Sequence, residues 1–220
     1  MQLAVIFDMD GVLVDSYHAH FESWKQAFDE IGVAYTEETF NADFGRTSRD
    51  ILRRTLGDGL TDARVAELDN RKEAIHRDIL RESFPAMDGA AELLEALAAD
   101  GFRLAIGSSG PPENVALTVE RLAGAQHFNV MVTGADVTLG KPDSQVFLIA
   151  AERLGVSPAN CAVVEDAAHG ITAAKRAGMT AIALTGTLQR TELSAADAVV
   201  DSLRQLSAER IRALIASRGN

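Results

Sequence analysis

Five short apolar runs recur along the chain: LAVIF from Leu3, RLAIGSS from Arg103, NVMVTG from Asn129, CAVVED from Cys161 and TAIALTG from Thr180. Each is near-continuous rather than alternating, the pattern of strands covered on both faces of a parallel sheet. Segments with helical spacing separate the last four. Val115, Val119 and Leu122 recur at i, i+4 and i+7, and Phe147, Ala150, Ala151 and Leu154 form a second stripe; both read as core packing. Strands alternating with helices of this length predict an α/β fold, a Rossmann-like open parallel sheet with helices on both faces and right-handed crossovers. SAERIRALIAS, close to the C-terminus, predicts an edge helix.

One interval breaks the rhythm. From Ser16 to Ser83 there is no strand pattern, only helical faces such as Phe21, Trp24, Phe28 and Ile31, or Ile51, Leu52 and Leu56. An insertion that leaves after the first strand and returns before the second predicts a small all-helical cap domain. The expected division is a core of 1–15 and 84–220 and a cap of 16–83, with hinges at Asp15, Ser16 and the 83–85 stretch.

Ligands of open α/β sheets settle at the carboxyl ends of the strands. Four of the predicted strands end there in polar groups: Asp8 and Asp10 after the first, Ser108 and Ser109 after the second, Asp136 after the third, Glu165 and Asp166 after the fourth. Lys141, in GKPDSQ, lies in the connection leading out of the third. Two carboxylates about 4 Å apart repel by roughly 4 kcal/mol at an effective dielectric near 20, so such a set requires a cation among its members. The cluster contains no histidine or cysteine, which favours a hard ion held by oxygens, Mg2+, over zinc. That ion and Lys141, with Ser108 and backbone amides near Gly11, would attract phosphoryl oxygens. In an extended strand, positions i and i+2 face the same side, so Asp8 and Asp10 can flank one reacting centre. One of the pair can attack phosphorus while the other protonates the leaving oxygen. Gly11 lets the backbone turn sharply beside the ligand.

Composition narrows the partners. The chain has 220 residues, 47% of them hydrophobic, enough to bury a proper core. A formal charge of -11 without clustered Lys and Arg argues against nucleic acid. No apolar run approaches the ~20 residues that span a bilayer, and MQLAVIFD does not resemble a signal peptide, so a cytoplasmic location and no membrane partner are expected. Cys161 stands alone in an apolar run and reads as a buried thiol in a reducing compartment.

FDMDGV at Phe7–Val12, Ser108 after LAIG, Lys141-Pro142 and VVEDAAHGI at Val163–Ile171 together resemble the haloacid dehalogenase superfamily of phosphotransferases, and the likeness covers essentially the whole chain. The resemblance implies Asp8 as the nucleophile that forms an aspartyl phosphate and Asp10 as general acid and then base. It further implies Ser108 and Lys141 on the phosphoryl oxygens, and Mg2+ held by Asp8, the Asp10 main-chain carbonyl and Asp166, with Glu165 close by. Dehalogenation is not expected, because dehalogenating members lack the second aspartate that Asp10 supplies.

Within that superfamily the helical insertion is similar to the caps of the beta-phosphoglucomutase and phosphoglycolate phosphatase group. DSYHAHFESW and GRTSRD resemble segments of the sugar-phosphate mutases, which implies substrate contacts for His20 and Arg49 and, on a weaker match, Lys72, beside Gly11 and Ser109 in the core. The mutases usually follow the serine of the second motif with a serine and a lysine that grip a phosphate. Here SSGPPEN offers Gly110 and Pro111, and proline brings neither charge nor donor. The expected activity is therefore a Mg2+-dependent phosphatase acting on a small phosphorylated metabolite, a sugar or polyol phosphate. A beta-phosphoglucomutase-like mutase is the alternative, and a non-catalytic sugar-phosphate-binding protein a more distant one. The chain is expected to act as a monomer or weak homodimer.

Overall fold

In the computed structural model, which describes residues 1–43 and 45–218, the chain divides into two compact units, Met1–Asp15 with Pro85–Asn220, and Ser16–Phe84. The first is built on parallel strands in the order β3-β2-β1-β4-β5-β6. Their ranges are β1 Ala4–Phe7, β2 Arg103–Gly107, β3 Phe128–Val132, β4 Cys161–Glu165, β5 Thr180–Leu184 and β6 Ala198–Val200. Helices α5 Ala90–Ala99, α6 Pro112–Arg121, α7 Gln145–Leu154, α8 Ala168–Arg176 and α9 Ala208–Ser217 complete this unit.

The Val, Ile and Ala residues of the inner strands account for the local structure, since small and β-branched side chains suit a pleated surface that is buried on both sides. Ala4, Ile6, Ala105, Val163, Ala181 and Ala183 share one core cluster with Phe147, Ala150 and Ala151 of α7 and Ile171, Ala173 and Ala174 of α8. The alternate set, Val5, Phe7, Leu104, Ile106, Val164 and Ile182, is equally buried, so both faces are covered. Helices α5 and α9 pack against β2 and β4.

Two expectations need correction. The sheet has a sixth strand, β6, paired with β5 through Ile182, Ala183 and Leu184; three residues are too few to stand out as an apolar run. The third predicted strand is also not covered on both sides. β3 is an edge strand with alternating exposure, and Met131 is exposed on it, because it has a single neighbour, β2.

Strand order reverses at β1. It pairs with β2 through Phe7 and Ile106 and with β4 through Phe7 and Val164, and the connections leave in opposite directions, opening a crevice at the carboxyl ends of β1 and β4.

The second unit contains α1 Tyr17–Asp29, α2 Glu37–Asp43, α3 Ser48–Leu56 and α4 Asp62–Glu82. Thr47 and Thr61 cap α3 and α4, accepting from the amides of Asp50 and Arg64, which satisfies donors that every helix start leaves open. Its own core joins Trp24, Phe28, Tyr35, Phe40, Ile51, Leu52, Val65 and Leu68. The fully buried Asp43 is tolerated because Arg54 donates to it at 2.7 Å and the Tyr35 hydroxyl at 3.2 Å.

Candidate active site

Sheet pairing carries the chain into the site. β1 ends at Phe7, and the amide of Asp8 still donates to the Val164 carbonyl at 2.9 Å; likewise the amide of Ser108 donates to the Val132 carbonyl at 3.0 Å. The backbones of both residues are thus held by neighbouring strands. Asp8 and Asp10 do not share an extended strand, as the i, i+2 reading required. The chain turns back at once, with the Met9 carbonyl accepting from the amides of Leu13 at 2.8 Å and Val14 at 3.1 Å. Gly11 makes this turn at φ +72°, and a Cβ there would lie 2.0 Å from Asp166 Oδ2, so glycine is required twice over.

Lys141 ties the crevice together. Its Nζ donates to Asp8 Oδ1 at 2.5 Å and to Glu165 Oε1 at 2.7 Å. The other oxygen of Glu165 accepts from the amides of Asp166 at 2.9 Å and Ala167 at 2.8 Å. Asp166 Oδ2 accepts from the Thr187 hydroxyl. Carboxylate oxygens of Asp8, Glu165 and Asp166 all lie within 4.8 Å of one another, and the three residues are 8%, 1% and 6% exposed.

Three buried carboxylates against one ammonium leave an excess of negative charge. At that separation each pair repels by about 3 kcal/mol at an effective dielectric near 20. Burial pushes the Asp8 carboxyl up to about 7 against the pull of Lys141, with Glu165 and Asp10 adding to the rise. Burial, followed by repulsion from Glu165 and Asp8, holds Asp166 well above the usual carboxylate range despite the Thr187 hydrogen bond. Burial would lower Lys141, but Asp8 and Glu165 outweigh it and keep the ammonium charged. The all-oxygen donor set and uncompensated charge fit a hard divalent cation such as Mg2+. Asp8, Asp166 and Glu165 are the side chains that could hold it.

Glu165 reaches Lys141 only because residue 170 lacks a side chain. A Cβ on Gly170, inside α8, would fall 1.7 Å from Glu165 Oε1 and 1.9 Å from its Cδ. Alanine normally favours a helix over glycine by about 1 kcal/mol, so Gly170→Ala should leave α8 intact while displacing Glu165. Misplacement on the ångström scale is expected to lower kcat/KM about a hundredfold. Adding Glu165→Asp, with its shorter side chain, should recover part of that loss. Steady-state kinetics and circular dichroism check both outcomes, and an unimpaired Gly170→Ala variant would contradict the contact.

The remaining predicted residues divide. Ser108 is buried beside the crevice strands, its Oγ accepting from the Gly110 amide at 3.0 Å, whereas Ser109 is exposed in the loop before α6. Asp136 does not join the cluster. It closes a capping box with Thr133 and pairs with Arg153 at 2.6 Å.

Within the helical unit, Lys72 is not a surface cation: it is 3% exposed, 2.7 Å from Glu73 and 2.9 Å from His20 Nδ1. His20 stacks on the buried His76, with ring centroids 4.1 Å apart. Arg49 is exposed and pairs with Asp62 at 3.1 Å.

Sequence reasoning missed Thr187 and Gly170. TGT closes β5 as polar groups close the other strands, and a lone glycine inside a helical pattern is itself a signal of close approach.

Comparison with known proteins shows the family. The family model for haloacid dehalogenase-like hydrolases matches residues 3–178. A phosphorylated carbohydrates phosphatase of Thermotoga maritima is 35% identical over 182 residues, 80% of this chain and 82% of that one. A beta-phosphoglucomutase of Bacillus subtilis is 33% identical over 213 residues, covering 94% and 92%. Among solved structures, a family IA, variant 3 hydrolase of Entamoeba histolytica superposes with a TM-score of 0.90 at 27% identity, over 98% of this chain and 100% of that one. Among the described residues, no helix is long and apolar enough to cross a membrane. With the motifs of FDMDGV, Ser108, Lys141 and VVEDAAHGI gathered at the strand-order reversal, the chain belongs to the haloacid dehalogenase-like hydrolase family.

Proposed function

We propose that this protein is a Mg2+-dependent phosphatase that hydrolyses a small sugar or polyol phosphate through an aspartyl phosphate on Asp8. The ammonium of Lys141, held between Asp8 and Glu165 beside Asp166, carries this reading. It keeps one carboxylate oriented at the end of β1 while preserving positive charge where phosphoryl oxygens would arrive. Asp8, Asp166 and the Asp10 carbonyl, with Glu165 alongside, would hold Mg2+, which would supply the remaining charge neutralisation and favour the ionised form of Asp8.

In the first half-reaction an Asp8 oxygen forms a bond to phosphorus, the P–O bond to the sugar breaks, and Asp10 gives its proton to the departing alkoxide. Lys141 and Ser108 hold the transferred oxygens. In the second, Asp10 takes a proton from water, whose oxygen attacks phosphorus and breaks the acyl phosphate bond. Inorganic phosphate leaves and Asp8 is restored.

Hydrolysis rather than mutase turnover is favoured by the loop that follows Ser108. A mutase must anchor a second phosphate with comparable strength. Pro111 and Pro112 open α6 without amide protons, Gly110 N is committed to Ser108 Oγ, and Glu113 adds negative charge in the first turn. A panel of hexose and hexitol phosphates tests this. The expected result is phosphate release that EDTA abolishes. Glucose 1-phosphate supplied with its 1,6-bisphosphate should yield free phosphate, and conversion to glucose 6-phosphate would instead establish the mutase.

A further inference from the structure

We propose that Thr187 is the positioning residue for Asp166, holding one oxygen of that carboxylate with its hydroxyl so that the other is kept for the magnesium ion. The inference deepens the functional reading above and rests on it. Two observations put the hydroxyl at the site. Thr187 Oγ1 donates to Asp166 Oδ2. A Cβ built on Gly11 would meet Asp166 Oδ2 at 2.0 Å and Thr187 Oγ1 at 2.9 Å, so donor and acceptor lie together against the turn that follows Asp8.

A carboxylate on a short side chain can swing about its terminal torsion, which is broad and weakly restrained. Asp166 has its amide tied to Glu165 Oε2 at 2.9 Å, which fixes the backbone and leaves that rotation open. A hydroxyl on one oxygen closes it. The β-branch of threonine leaves χ1 few alternatives, so the donor arrives already oriented. The segment bearing it is anchored too: the amide of Thr185 donates to the Val200 carbonyl at 2.9 Å and the Thr185 hydroxyl to Asp201 at 2.9 Å. Thr187 therefore couples the end of β5 to the acidic cluster. Partners that orient a metal-ligating carboxylate in this way typically govern metal affinity by about 10- to 100-fold.

Calorimetric titration of the substrate-free protein with Mg2+ tests the assignment. Thr187→Val keeps the shape and removes the donor; its dissociation constant is expected to rise about tenfold or more. The magnesium concentration for half-maximal phosphatase rate should rise with it. Thr187→Ser retains the donor and should stay close to the original affinity, and Ser217→Ala, whose hydroxyl serves the Leu214 carbonyl in α9, should leave affinity unchanged. Unaltered Mg2+ binding in Thr187→Val, or equal weakening in Thr187→Ser, overturns the role of the hydroxyl. An unsubstituted protein that binds no Mg2+ would refute the functional reading itself, a result distinct from an unsubstituted protein that binds the ion and a Thr187→Val variant that binds it as tightly.

Discussion

Asp8→Asn is expected to lose at least about a thousandfold in kcat, the scale on which removal of a nucleophile is felt. The amide preserves the shape of the side chain and cannot attack phosphorus. Its thermal unfolding midpoint in EDTA should hold or rise, because the fold gains nothing from the Asp8 charge. Burial already pushes that carboxyl up to about 7, with Glu165 and Asp10 repelling it, so a neutral group suits the site. Rapid-quench labelling with a radioactive phosphate ester should trap phosphoprotein in the unsubstituted chain and none in Asp8→Asn. Full turnover in the variant would eliminate covalent catalysis.

Lys141→Met should damage stability and rate together. The lysine is the counter-charge of two buried carboxylates, at 2.5 Å from Asp8 and 2.7 Å from Glu165, with only 11% of its side chain exposed. Removing one partner of such a set leaves uncompensated charge inside the protein and costs about 3 kcal/mol or more. Methionine keeps an apolar stem of similar length, while the ammonium's contact with the Phe147 ring at 4.9 Å goes with the charge. The metal-free variant is therefore expected to unfold at a lower temperature, and saturating Mg2+ should restore part of the loss by returning positive charge to the crevice. Its kcat should fall about a hundred- to a thousandfold, since in the proposed mechanism Lys141 also faces the developing charge on the phosphoryl group. Lysine-like stability in the methionine variant would mean that the ammonium does not neutralise the cluster.

The sequence by itself determined the sheet class and the addresses of the charged groups. Apolar runs that stop at Asp8, Ser108 and Glu165-Asp166 mark where strands end, and the ends of strands are local facts. Composition likewise decided that a negative chain with an oxygen-only cluster would want a cation. β6 escaped because three residues have no readable period.

Tertiary structure decided which groups are spent and which are held ready. Asp136 resembles the other strand-end acids until Arg153, seventeen positions later, takes it. Lys72, expected from the resemblance to contact substrate, is buried in the fold, where Glu73 and His20, which is fifty-two positions away, make its burial tolerable. Thr187 and Gly170 carry no charge and acquire meaning only from the carboxylates of Asp166 and Glu165 beside them. The physical reason is common to all four. A side chain's chemistry is written in its own residue, but its partner is chosen by folding, which decides which atoms, near or far along the chain, each group meets.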